Sequence, residues 1–137
     1  MLFCLTNVIA QDSKDIGVNY GFNGDNLPNP NDVVKAYKQY GIGKMRIFEP
    51  NVPMLDALKG QGIDLVLGVR NEDLPNLASS QDAVEQWFVA NVQTYVDSIV
   101  IPFITLGNEL VPKQFSDSIL PAMQNLQNVL FNHGLQV

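Results

Sequence analysis

The pair Asn108-Glu109 stands directly after an apolar, β-rich run, Ile101 to Gly107 (IPFITLG), and a carboxyl in that place is suited to proton transfer. Burial at the end of such a run would favour the protonated form that a general acid needs. Asn108 beside it offers both a donor and an acceptor to a hydroxyl. Glu109 could equally cap its loop or pair with Arg46 or Lys113. Other apolar runs end in similar chemistry: Tyr20 and Asn23, then Glu49 and Asn51, then Asn71, Glu72 and Asp73. Amides and carboxylates dominate these ends and cations are few. Such a set fits a ligand made of neutral hydroxyls, with Tyr20 adding a face on which a sugar ring can stack.

Composition narrows the alternatives. One cysteine, Cys4, and one histidine, His133, leave no parts for a zinc cluster, a disulfide framework or a Ser-His or Cys-His dyad, so carboxylates must carry any chemistry and no cofactor is called for. A net charge of −6 with eight Lys and Arg disfavours nucleic acid, whose affinity comes largely from cations on phosphates. No run reaches the roughly 20 apolar residues that span a bilayer. Residues 1–10 (MLFCLTNVIA) read as a short export signal ending in Val8-Ile9-Ala10, with 11–15 a linker and a disordered tail as the alternative. The stretch has no Lys or Arg in front, so part of a fuller signal could precede it. An exported chain would go to the extracellular space or cell wall, with the vacuole as a second destination.

The elements that must position these residues alternate in period. Ile16 to Gly21 (IGVNYG), Lys44 to Phe48 (KMRIF), Ile63 to Val69 (IDLVLGV) and Ile101 to Gly107 read as strands, and the third should be covered on both faces. Between them lie helical patterns. Asn29 caps a helix through Val33, Val34 and Tyr37 that Gly41 stops, and Met54 to Leu58 forms a brief one closed by Gly60. Ser79 or Ser80 opens a helix carrying Ala83, Val84, Trp87, Phe88, Asn91, Val92 and Tyr95. Ser116 starts a last helix with Ile119, Leu120, Met123, Leu126, Val129 and Leu130 on one face, closed by His133-Gly134, and Leu135-Gln136-Val137 looks like the opening of a fifth strand. Four βα units imply a parallel sheet, either open and doubly wound or a barrel cut after four units. The first strand lacks a G-x-G-x-x-G turn, which weakens a dinucleotide-binding reading.

Five ordered motifs in one frame, IGVNYG at 16–21, GDNLPNPNDVV at 24–34, KMRIFEPN at 44–51, LVLGVRNEDL at 65–74 and TLGNELVP at 105–112, are followed by LPAMQNLQNVL at 120–130. Together they resemble plant endo-1,3-β-glucanases of glycoside hydrolase family 17, in register from Ile16 to the last residue. The resemblance implies an α/β fold, the parallel (β/α)8 TIM barrel, of which residues 16–137 would form the first four βα units, since a whole barrel takes roughly 250 residues. It also implies retaining hydrolysis of internal 1,3-β-linkages of β-glucan by two glutamates, with no metal. Glu109, in the Gly-Asn-Glu motif, is then the acid/base, and Asn108 the substrate-binding asparagine. Tyr20, Asn51 and Asn71 fall on motifs that line the cleft. Arg46, inside the second strand, could bond a carboxylate of the catalytic floor or make a structural ion pair.

Two departures from the family pattern stand out. Phe48 replaces the usual Tyr, removing a phenolic hydroxyl from the cleft, and Arg70 replaces a common Pro, where it reads as a solvated loop charge or as a cation beside the cleft. The nucleophilic glutamate is expected on a later strand, beyond residue 137. A retaining site needs two carboxyls about 5 to 5.5 Å apart, so the chain alone is expected not to turn over glucan. The competing reading is a β-glucan-binding fragment without catalysis, and a third is a small open-sheet domain of unrelated role. Open strand edges, with Val18, Ile47, Val66 and Ile104 as inner apolar residues lacking partners, predict self-association.

Overall fold

A computed structural model describes residues 15–111 and 114–135. The signal at 1–10, nearly all of the linker, Lys113 and the last two residues of the fifth-strand run lie outside the described residues.

Four strands form one sheet: β1 (Gly17–Tyr20), β2 (Lys44–Ile47), β3 (Asp64–Val69) and β4 (Phe103–Leu106). All three pairings are parallel and the spatial order is β1-β2-β3-β4. A doubly wound sheet reverses its order at a switch point, whereas a barrel adds each strand beside the last. The observed order is that of a barrel.

Local signals set the helices. Asn29 Oδ1 accepts from Asn31 N at 3.0 Å ahead of Pro30, the first residue of α1 (Pro30–Gln39), and Gly41 ends it at φ 68°. Asn51 Oδ1 accepts from Met54 N at 3.0 Å to cap α2 (Val52–Leu58). A 3-10 turn (Asn71–Asp73) leads into α3 (Leu74–Ser79), a short helix ahead of the one expected to open at Ser79 or Ser80. Ser80 Oγ caps α4 (Gln81–Phe88), which ends earlier than its apolar repeat predicts and passes into a π-helical turn (Val89–Gln93). There Asn91 Nδ2 donates to the Trp87 carbonyl at 2.8 Å, competing with the backbone for that acceptor. The last helix is α5 (Ser116–Asn132).

The register sorts the sheet into two faces. Val18, Met45, Leu65 and their row-mates Tyr20, Ile47, Leu67 and Ile104 share the face on which the helices pack. Asn19, Arg46, Val66 and Phe103 share the other. This corrects the expectation for the inner residues: Val18, Ile47 and Ile104 belong to the helix side, Ile47 is fully buried there, and only Val66 is on the inner side. On the inner face of the third strand Asp64 and Val66 are half-buried and Gly68 is buried, so that face is covered less completely than the helix side. In α5, Ala122, Leu126, Val129 and Leu130 are buried, while Leu120 and Met123 are exposed and extend the apolar stripe past the core. Asn125 Nδ2 ties α5 to α3 by donating to the Leu77 carbonyl at 2.9 Å, and His133 Nε2 meets Glu85 Oε1 at 2.6 Å.

Tyr37 of α1 is buried, and its hydroxyl donates to the Val18 carbonyl at 3.1 Å, fastening the helix to edge strand β1. Burial first, and the nearby Tyr20 second, push the phenol above its ordinary 10.0. The folded state therefore holds this proton more tightly than the unfolded state does. The contribution to stability is complete below pH 10.0 and is lost as pH rises through the higher folded value. Urea titrations at neutral and strongly alkaline pH should show that loss shrinking in Tyr37→Phe, and an unchanged alkaline loss would remove Tyr37 as its source.

Candidate active site

The carboxyl end of β4 turns sharply. Gly107 has φ 73° and Glu109 has φ 54°, a left-handed conformation that costs a residue with a Cβ about 1–2 kcal/mol. Gly107 is required there twice over. Its φ is positive, and a Cβ on it would collide with the Leu110 side chain and come within 3.0 Å of Asn71 Oδ1 and Leu74 Cδ1. Leu110 is buried in the core, so the turn is anchored just past Glu109.

Asn71 holds the turn from the β3 side. Its Nδ2 donates to the Asn108 carbonyl at 3.1 Å, and its Oδ1 accepts from Asn108 N at 2.7 Å. Arg46 reaches Asn108 from the inner face of β2, with Nη2 donating to Asn108 Oδ1 at 3.3 Å. A guanidinium only donates, so the amide oxygen of Asn108 must face it, and the amide nitrogen is left to donate elsewhere. The same guanidinium lies 4.7 Å from the centroid of the Phe48 ring, which stands where the resemblance leads one to expect a phenol.

Two grooves meet at Asn108. One, of about 450 Å³, runs along the ends of the first three strands and is lined by Gly21, Phe22, Asn23, Phe48, Glu49, Arg70, Asn71, Glu72 and Asn108. The other, of about 640 Å³, lies between β4 and α5 and includes Arg46, Thr105, Gly107, Asn108, Glu109, Met123 and Gln127. Arg70 spans carboxylates in the first, with Nε 3.3 Å from Glu49 Oε2 and 3.7 Å from Glu72 Oε2. Both pairs are well exposed, so their contribution to stability is small. In the second groove Arg46 Nε and Thr105 Oγ1 are buried without a hydrogen-bonding partner among the described residues. Buried polar atoms left unpaired cost about 1–3 kcal/mol each.

The structure thus brings Glu109, Asn108, Asn71 and Arg46 together. Tyr20 and Asn51 are placed apart from them. Tyr20 is half-buried on the helix side, edge-on to Phe22 with centroids 5.5 Å apart, and lines neither groove. Asn51 also lines neither, its side chain serving as the cap of α2. Glu109 is exposed at the rim, correcting the expectation that a buried strand end would desolvate it. Phe22 and Thr105 were not singled out from the sequence. An aromatic directly after the Gly21 break, and a lone hydroxyl in the apolar run of β4, were the available signals.

Residues 16–137 match the family described as glycosyl hydrolases family 17. The chain belongs to that family. It is 44% identical over 126 residues to a probable glucan endo-1,3-beta-glucosidase, BG4, of Arabidopsis thaliana, covering 91% of this chain and 36% of the relative. Identity to a glucan endo-1,3-beta-glucosidase of Vitis vinifera is 41% over 138 residues, covering 98% and 40%. Among solved structures, a beta-1,3-glucanase and allergen of Cryptomeria japonica pollen superposes with a TM-score of 0.85 at 41% identity, covering 88% of this chain and 39% of that one. The chain therefore spans less than half the length of these relatives. As a family 17 chain it presents the first four βα units of a barrel, in agreement with the strand order.

Proposed function

We propose that this chain supplies the acid/base half of a retaining glycoside hydrolase that cleaves internal 1,3-β-glucosidic linkages of β-glucan. The observation that carries the reading is the pinned Gly107-Asn108-Glu109 turn, which sets a carboxyl at the carboxyl end of a barrel strand in a family 17 chain. Glu109 protonates the leaving glycosidic oxygen and later takes the proton of the attacking water. Asn108, its oxygen held by Arg46, donates its amide N–H to a sugar oxygen beside the scissile bond, a contact that strengthens as charge develops. The groove at Phe22 and Phe48 gives sugar rings two apolar faces, and its amides and carboxylates give their hydroxyls partners.

Around Glu109 no second carboxylate lines the groove among the described residues, and the nearby Glu49 and Glu72 belong to the Arg70 cluster. Retention needs a second carboxyl across the bond. The 137-residue chain is therefore expected to bind soluble 1,3-β-glucan without cutting it, which is also what the binding-fragment reading requires. Laminarin incubated with the chain should give no new reducing ends, while titration by isothermal calorimetry should show binding that Asn108→Ala weakens. Glucose oligomers appearing at enzyme-like rates would overturn the half-site reading, and no binding at all would overturn the glucan assignment.

Export to the cell wall or extracellular space follows from the same reading, supported by the apolar stretch at 1–10 and by plant relatives named as glucanases. No helix among the described residues is long and apolar enough to cross a membrane. The edge positions of β1 and β4, with Phe103 exposed on the inner face, support association of the isolated chain with further copies.

A further inference from the structure

We infer that Asn71 is a positioning residue whose side-chain amide, paired with both backbone groups of Asn108, sets the direction of Glu109 instead of binding sugar. The inference rests on the reading of Glu109 as the acid/base. The last ladder bond between β3 and β4 runs from Gly107 N to the Val69 carbonyl at 3.1 Å. Past it the two chains part. The β3 side enters the 3-10 turn at Asn71–Asp73, and the β4 side turns away through the left-handed Gly107. The peptide groups of Asn108 would then have no partner in the sheet. The Asn71 amide carries the same donor and acceptor as a peptide unit, and it extends the ladder by one step with bonds of 2.7 and 3.1 Å. Those two bonds fall immediately before Glu109, whose left-handed φ needs neighbours that hold it.

The test is amide hydrogen exchange by NMR on the 137-residue chain. In the native chain Asn108 N–H should be protected although its residue is exposed. In Asn71→Ala that amide should exchange about tenfold faster or more, while those of Ile47 and Leu67 keep their protection. The Asn71→Asp variant gives a rescue. A protonated carboxyl offers the same donor and acceptor as the amide, and an ionised one offers acceptors only. Asn108 N–H protection should therefore be retained at every pH, because the carboxylate still accepts it, while the 13C shift of the Asn108 carbonyl should approach its native value only at acid pH, where the carboxyl also donates. Glu49, Glu72, Arg70, Asp73, Glu109 and Arg46 surround the site, and the native chain over the same pH range controls for their titration.

A second arm follows Glu109 resonances during titration with laminarioligosaccharides. Affinity should drop about tenfold in Asn71→Ala and recover at acid pH in Asn71→Asp. Unchanged Asn108 exchange in Asn71→Ala would overturn the clamp, and a fall in affinity on top of it would make Asn71 a sugar contact. The expected exchange pattern with no response of Glu109 to oligosaccharide in the native chain would overturn the catalytic reading and leave the clamp purely structural.

Discussion

A chimaera in which residues 16–135 replace the matching part of the Cryptomeria japonica pollen glucanase should hydrolyse laminarin, and Glu109→Gln in it should lower kcat by about 10²–10⁴-fold. The graft is reasonable because the superposition covers 88% of the chain and the two share 41% identity, so the grafted strands meet a barrel of their own kind. Glutamine keeps the size of the side chain and its hydrogen bonding to a glycosidic oxygen but has no transferable proton. The loss should fall on kcat more than on KM, because the proton moves only in the transition state. Reducing-end assays with laminarin give both constants. A Glu109→Gln chimaera as active as its parent would remove Glu109 from the chemistry, whatever the fold around it.

Gly68→Ala should destabilise the chain by about 1–3 kcal/mol, at the upper end of that range. Gly68 is buried in β3, and a Cβ on it would collide with the Phe48 carbonyl, lying 2.5 Å from the carbonyl carbon and 2.7 Å from Phe48 Cα. These are backbone atoms, so relief requires the end of β2 to move and not merely a rotamer change. That end carries Phe48 and Glu49 into the first groove and holds the Arg46–Phe48 stack. Urea unfolding should show a lower midpoint with an unchanged slope. Gly21→Ala is the control, because a Cβ there meets nothing within 4 Å. Equal midpoints for the two variants would contradict the close approach of β2 and β3.

The candidate site was legible in part. Glu109 was recognisable because a polar pair directly after an apolar β run is local information, and the family motif around it is contiguous. Asn51 repeats, as Asn51-Val52-Pro53, the cap signal that Asn29-Pro30 also carries, so its role in α2 could have been read from sequence. Asn71 could not. Its partner lies 37 residues away, and only the register of β3 against β4 brings the two together. The exposure of Glu109 likewise follows from the left-handed turn and from Leu110 taking the buried place beside it.

By itself the sequence determined the alternation of strands and helices, most caps and stops, the carboxylate-and-amide character of the strand ends, and membership of a glucanase-like family. Each of these depends on residues within a few positions of one another, or on motifs read in line. Tertiary structure alone decided the face of the sheet that the helices cover, and which polar side chains serve the backbone and which line a groove. Those outcomes depend on pairing between segments far apart in the chain, where a shift of one residue would exchange the two faces of every strand.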